Sequence, residues 1–335
     1  MRFKLHALGS GLAALLLASL PPQAQAQAQA QAPAPGWPDK PIRLVVTTPA
    51  GGPVDVLARV LGEAVSLSLQ QPVIVENRPG ASGGTGSAHL KQQAADGYTL
   101  MLTANAAFYL MPVIRKMPYR PFDDFSFIGQ MAYTPNVLVV PAASPARTVA
   151  DFVALAKAQP GVLNYGTMLG IPQHLDFERF KRAAALDIAL VPYTGGAPIV
   201  TALLSNQIQV TLMNVPLVAE WVKTGKLRAL ATPAAQRAAA LPDVPTMAEA
   251  GFGHLALDAG QAFSLVGPAG LPKALADKIY QAFAAAATDP ERRKKLEAAG
   301  FEIALRDAAS LKADLLREGA RTEALVKALD FKLAE

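Results

Sequence analysis

Apolar residues recur along this chain in two alternating rhythms. Short runs rich in Val, Leu and Ile are separated by longer stretches in which an apolar residue returns every three or four positions. The run Ile42-Arg43-Leu44-Val45-Val46 predicts a strand, and residues 54–69 predict a helix with Leu57, Val60, Leu61, Ala64 and Val65 on one face. The same reading places strands at 72–76, 98–103, 136–140, 163–167, 189–193, 208–213 and 227–232, and helices near 84–94, 173–185 and 197–206. Thr148 followed three residues later by Asp151 marks a helix start, and Pro160-Gly161 marks its stop. From Leu271 onward the chain reads as helical, with Pro272 at a helix start and Asp289-Pro290 between two helices. Strands alternating with helices predict an α/β fold of mostly parallel sheets flanked by helices.

The N-terminus breaks this rhythm. Arg2 and Lys4 precede the apolar run 7–20, which is too short to span a bilayer, and Ala24-Gln25-Ala26 has the spacing of a cleavage site. Residues 1–26 are therefore expected to be an export signal, with cleavage between 26 and 34. Residues 27–36, rich in Gln, Ala and Pro, are expected to form a disordered lead-in. The mature protein is expected to be exported and soluble, with no further run long and apolar enough to cross a membrane.

Composition narrows the chemistry. With 335 residues the chain can form two domains, and 51% hydrophobic against 17% charged residues supports a sizeable core. The net charge of +5 comes without any basic run interleaved with aromatics, so nucleic acid is not an expected partner. The cluster 291–295 (ERRKK) reads as a solvated helix face. The absence of cysteine excludes disulfides and thiolate chemistry. The four histidines have no second ligand at helical spacing, so neither a metal nor a cofactor is expected.

Glycine turns are the remaining candidates for chemistry. Residues 48–61 (TPAGGPVDVLARVL) and 191–204 (VPYTGGAPIVTALL) both read Pro, two residues, Gly-Gly and then a helix. A helix start offers unpaired N–H groups and partial positive charge, and glycine lets an anion approach that backbone. Further turns of this kind lie at Gly80–Gly86 and Gly166–Gln173. Neither a Walker motif nor a dinucleotide fingerprint is present. Residues 80–84 (GASGG) match G-x-S-x-G, but Asn77-Arg78-Pro79 separates them from the strand, so Ser82 reads as part of a flexible turn and not as a nucleophile. Asp55 reads as a helix-start charge.

In order, "WPDKPIRLVV" (37–46), "GGPVDVLAR" (51–59), "ENRPGA" (76–81), "DGYTL" (96–100), "VPYTGGAP" (191–198) and "LPDVPTMAEAG" (241–251) resemble the substrate-binding proteins of tripartite tricarboxylate transporters, the Bug receptors. The resemblance covers roughly 37–330. It implies a two-lobed, type II-like periplasmic binding protein with strands crossing near 136–140 and 263–268. Lobe one would comprise 37–138 plus 264–335, and lobe two 139–263. It further implies a non-enzymatic monomer that captures a small organic carboxylate between the lobes through backbone amides and waters. The partner would be the inner-membrane permease, or a sensor domain where no permease serves it. An exported esterase built on Ser82 is the alternative.

Carried over by position, the implied ligand-binding residues are Ala50, Gly51, Gly52, Val54 and Asp55 in the first loop and Ala104, Asn105 and Phe108 after 98–103. In the second lobe they are Thr167, Met168, Gln173, Tyr193, Thr194, Gly195, Gly196, Met213 and Asn214. Val54, Phe108 and Met213 stand where the family commonly has Thr, His and Asp, and Met168, Leu169 and Ile171 stand in a loop that is usually more polar. A pocket less polar than is usual is therefore expected, one preferring a monocarboxylate with an aliphatic or aromatic body over citrate, malate or aspartate.

Overall fold

The computed structural model describes residues 36–255, 257 and 260–331. The expected export signal and all but the last residue of its lead-in lie outside the described residues. The strands are β1 (Ile42–Val46), β2 (Val73–Asn77), β3 (Thr99–Ala104), β4 (Phe125–Pro141), β5 (Asn164–Thr167), β6 (Ala189–Pro192), β7 (Thr211–Asn214), β8 (Leu227–Ala231), β9 (Gly260–Pro268) and β10 (Glu302–Asp307). The helices are α1 (Pro53–Leu69), α2 (Gly84–Lys91), α3 (Ala106–Tyr109), α4 (Met111–Ile114), α5 (Val149–Ala158), α6 (Pro172–Ala184), α7 (Gly196–Leu204), α8 (Val215–Lys223), α9 (Lys273–Thr288), α10 (Pro290–Ala298) and α11 (Ala308–Ala328).

β4 organises both lobes. From Phe125 to Pro135 it pairs with β9, and from Gly129 to Tyr133 with β10. From Asn136 onward its partners are β7 and β8. The first lobe is the sheet β10-β4-β9-β3-β1-β2. In the second lobe, β5 and β6 pair with each other, and a bridge from Tyr165 to Val210 joins them to the β7-β4-β8 set. β1–β2, β1–β3 and β5–β6 are parallel, whereas every antiparallel pair is made by β4 or β9. Sequence alternation reveals only the end of β4, because the strand is buried almost throughout and so lacks a polar face. β10 likewise falls in the stretch expected to be helical.

Cores form on both faces of each sheet because successive strand residues point to opposite sides. Val45, Met101, Val266 and Phe127 are register neighbours across four strands. They pack with Leu90 of α2, Phe108 of α3 and Leu311 and Leu315 of α11. In the second lobe Leu138 and Val140 face Phe152 of α5 and Phe177 and Phe180 of α6. Val137 and Val139 face Ile199 and Leu203 of α7 and Val218 of α8. The lobes also touch beyond the crossing strands. Leu175 of α6 packs with Ala106, Leu110 and Met111. Arg182 of α6 donates to the carbonyls of Ala328 and Leu329 at the end of α11.

The crossing is tight. A Cβ on Gly260 would lie 2.0 Å from the carbonyl oxygen of Thr134, immediately before the point where β4 changes sheets. Gly260→Ala should therefore destabilise the protein by roughly 1–3 kcal/mol, the usual cost of overpacking. Urea unfolding checks this, and an unchanged midpoint would show that the crossing can open without cost.

Candidate ligand-binding cleft

Between the lobes lies a cleft of about 690 Å³, within the range of small-molecule sites. Its walls are the segments that follow the C-terminal ends of five parallel-paired strands. Thr47, Thr48 and Pro49 follow β1, Pro79, Gly80, Ser82 and Gly83 follow β2, and Thr103, Ala104, Ala106 and Ala107 end or follow β3. The second lobe contributes Met168, Leu169, Ile171 and Pro172 after β5, and Pro192, Tyr193 and Thr194 at the end of β6. Such positions are where open α/β sheets bind ligands.

Among the described residues the wall contains no carboxylate, imidazole or cationic side chain. Its polar groups are mainly hydroxyls. Thr47 Oγ1 and Thr103 Oγ1 lie 2.8 Å apart and are buried. Thr48 Oγ1 is buried and has no hydrogen-bond partner among the described residues. Met168, Leu169, Ile171 and Met111 make much of the remaining wall apolar.

The family model for the tripartite tricarboxylate transporter family receptor matches residues 57–331. The chain belongs to this receptor family. The UPF0065 protein in the gbd 5′ region of Cupriavidus necator is 37% identical over 85% of this chain and 83% of its own length. A solved periplasmic transporter superposes with a TM-score of 0.82 at 32% identity, covering 89% of this chain and all of the other. An R. palustris protein solved with adipate superposes with a TM-score of 0.81 at 30% identity, covering 88% and 98% of the two chains.

Of the site residues expected from sequence, the receptor brings Ala104, Met168, Tyr193 and Thr194 together in the cleft wall. The first loop is divided. Its leading residues, Thr47–Pro49, face the cleft, while Gly51 borders a neighbouring cavity of about 140 Å³ with Pro53, Val56 and Leu217. Ala50 is exposed, and Gly52 caps α1 with an ordinary extended backbone. Val54, Phe108 and Met213 are packed into cores. They give the cleft none of its apolar character, which comes instead from the loop at 168–171 and from Met111. Phe108 meets Phe127 edge-on at 5.1 Å, so this position is occupied for packing.

Several expected contacts are used inside the receptor itself. The Asp55 carboxylate is buried and accepts from the Gly51 amide at 2.9 Å, from Asn77 at 2.9 Å and from Arg59 at 3.0 Å. Asn77 also donates to the Thr48 carbonyl at 3.1 Å. Asp55 is thus more than a helix-start charge, because it ties the first loop to β2. The Gly51 amide, expected to face an anion, already has one. Gln173 and Asn214 join Asn136 and Thr134 in a buried amide cluster at the β4 switch. Asn105 receives the Ser264 hydroxyl at 2.6 Å and lines a separate polar cavity, and Thr167 donates to the Met168 carbonyl. Gly195 and Gly196 open α7, and a Cβ on Gly196 would lie 2.7 Å from Leu217. A larger residue there would disturb packing, so its effect on binding would not identify an amide contact. Thr47, Thr48, Thr103, Met111 and Gln261 are cleft residues missed from sequence. Strand-end position was the available signal for the first three.

Burial pushes the Asp55 carboxyl up, but hydrogen bonds from Arg59, Gly51 and Asn77 outweigh it and hold it below its ordinary 3.8. A carboxylate depressed in the folded state stabilises above its unfolded pKa, and that contribution disappears as pH falls through the folded value. Asp55→Ala should cost about 1–3 kcal/mol at neutral pH by leaving the Gly51 and Asn77 donors unpaired. The deficit against wild type should shrink below about pH 4. Thermal unfolding at several pH values checks this, and a deficit that does not vary with pH would mean the carboxylate's charge contributes nothing.

Proposed function

We propose that the cleft captures a small organic carboxylate with an aliphatic or aromatic body, for delivery to tripartite-transporter permease subunits or to a sensor domain. The observation that carries this reading is a wall built by strand-end loops of both lobes, rich in hydroxyls and apolar groups, with no carboxylate, imidazole or cationic side chain among the described residues. An anion in such a place is held by backbone N–H groups, hydroxyls and water, because burying it with no donors costs several kcal/mol. The loop at 168–171 and Met111 give its body an apolar surface, each Å² buried contributing about 25 cal/mol. The adipate bound to the R. palustris relative, with its aliphatic body, supports this chemistry.

The same reading makes the protein an exported, non-catalytic receptor whose signal segment is removed in the periplasm. The Ser82 hydroxyl accepts from Arg115 at 2.9 Å, and a guanidinium is not a general base. The lobe division we infer lies a few residues earlier at both crossings than the expected 37–138 plus 264–335 against 139–263, because Asn136–Leu138 pair with β7 and β8 while Gly260–Phe263 pair with β4 and β3 in the first sheet. Closure of the two lobes follows from a ligand that contacts both, since the closed state then gains contacts the open state lacks.

Calorimetry on refolded, ligand-stripped protein tests the ligand class. Hexanoate, adipate and benzoate-like acids should bind about tenfold or more tightly than malate, aspartate or citrate. At about 100 times its dissociation constant a true ligand adds roughly 2.7 kcal/mol, a shift of several degrees in melting temperature. Tighter binding of the short polar acids would overturn the reading of the apolar wall.

A further inference from the structure

The turn between β2 and α2 is held in an unfavourable backbone. Gly80, Ala81, Ser82 and Gly83 have φ of 121°, 48°, 53° and 90° in succession. Left-handed backbone is disfavoured for residues with a Cβ, and two such residues in a row persist only where their surroundings hold them. Its consequence is local: Gly80, Ser82 and Gly83 become cleft wall. The Ser82 hydroxyl then accepts a hydrogen bond from Arg115 Nη1 at 2.9 Å.

Arg115 follows α4 directly, and Met111 of that short helix lines the same cleft. Among the described residues Arg115 has no carboxylate within ion-pair distance, and Ser82 is its hydrogen-bond partner. The acids nearby in sequence are engaged elsewhere. Asp123 pairs with Arg120, and Asp124 pairs with Lys91 and Arg120. The guanidinium therefore stands beside an otherwise uncharged cleft with most of its donors unused, fixed by a single hydroxyl on the wall. Its planar fork suits a carboxylate better than a point charge does.

We propose that Arg115 is a specificity-determining cation of the receptor, positioned by Ser82 to engage a second anionic group at the far end of the ligand. This rests on the carboxylate reading of the cleft and refines it. The apolar wall receives the ligand's body, and a second charge is accepted at the rim instead of excluded. The expected monocarboxylate preference therefore gives way to a preference for long α,ω-diacids. Short diacids would place their second charge against the apolar wall.

The test compares acids of equal chain length, hexanoate with adipate and octanoate with suberate, by calorimetry on the mature protein. Wild type should bind each diacid about tenfold more tightly than its monoacid, a ratio that falls as salt rises from about 50 to about 500 mM. Arg115→Gln should bring the diacid-to-monoacid ratio close to one. Arg115→Lys should keep part of the preference, and Ser82→Ala should weaken it by freeing the guanidinium. Because the readout is a ratio of two ligands on one sample, a partial loss of folded protein leaves it unchanged. A wild-type preference for the monoacid, or a ratio unmoved in Arg115→Gln, overturns the proposal while leaving the carboxylate cleft standing. If neither acid binds wild type, the carboxylate reading falls and this proposal falls with it.

Discussion

β4 exchanges backbone hydrogen bonds with β9 and β10 before Pro135 and with β7 and β8 after it, so a single strand must satisfy two sheets. Proline cannot donate to a ladder, and it occupies the residue where one set of partners ends and the other begins. The buried amides that follow (Asn136 with Gln173 and Asn214) tie the strand to the start of α6 and the end of β7. Buried polar groups of this kind are costly unless paired, so they favour one geometry at the crossing. The cleft loops project from the strands packed on either side of this point, and their separation depends on it.

The cleft needs no buried side-chain charge to attract an anion. An arginine or lysine enclosed there would itself be desolvated, and would have to be neutralised whenever the ligand was absent. Hydroxyls and amides avoid that cost because water satisfies them in the empty state. Asp55 contributes at a distance by fixing the first loop. Its negative charge is matched by Arg59 and kept out of the cleft wall.

Where a pattern is local, the sequence was readable. The strand at Ile42–Val46, the helix behind it and the Thr148–Asp151 capping box are all visible as spacing. β10 and the first half of β4 were not visible. Their partners lie far away in the chain, and the first half of β4, buried on both faces, has no alternation to announce it. The candidate site divides the same way. Tyr193, Thr194, Met168 and Ala104 follow from strand ends, but sequence alone does not show which side of a loop faces inward. Hence Val54, Phe108 and Met213, which look like pocket substitutions, are core residues, and the shared Pro-x-x-Gly-Gly pattern marks two helix starts without marking two equal ligand contacts.

Most cleft residues lie on connections or at the ends of their elements; Met168 and Tyr193 are packed at the margin of one sheet cluster, and Ala106 and Met111 belong to the small cluster around Leu175. The cleft wall and the sheet cores are therefore written largely in separate parts of the chain. Leu169, Ile171 and Thr194 can reshape the cleft wall without compensating changes in the interior. Phe108, Val54 and Met213, by contrast, can change only as their packing neighbours do.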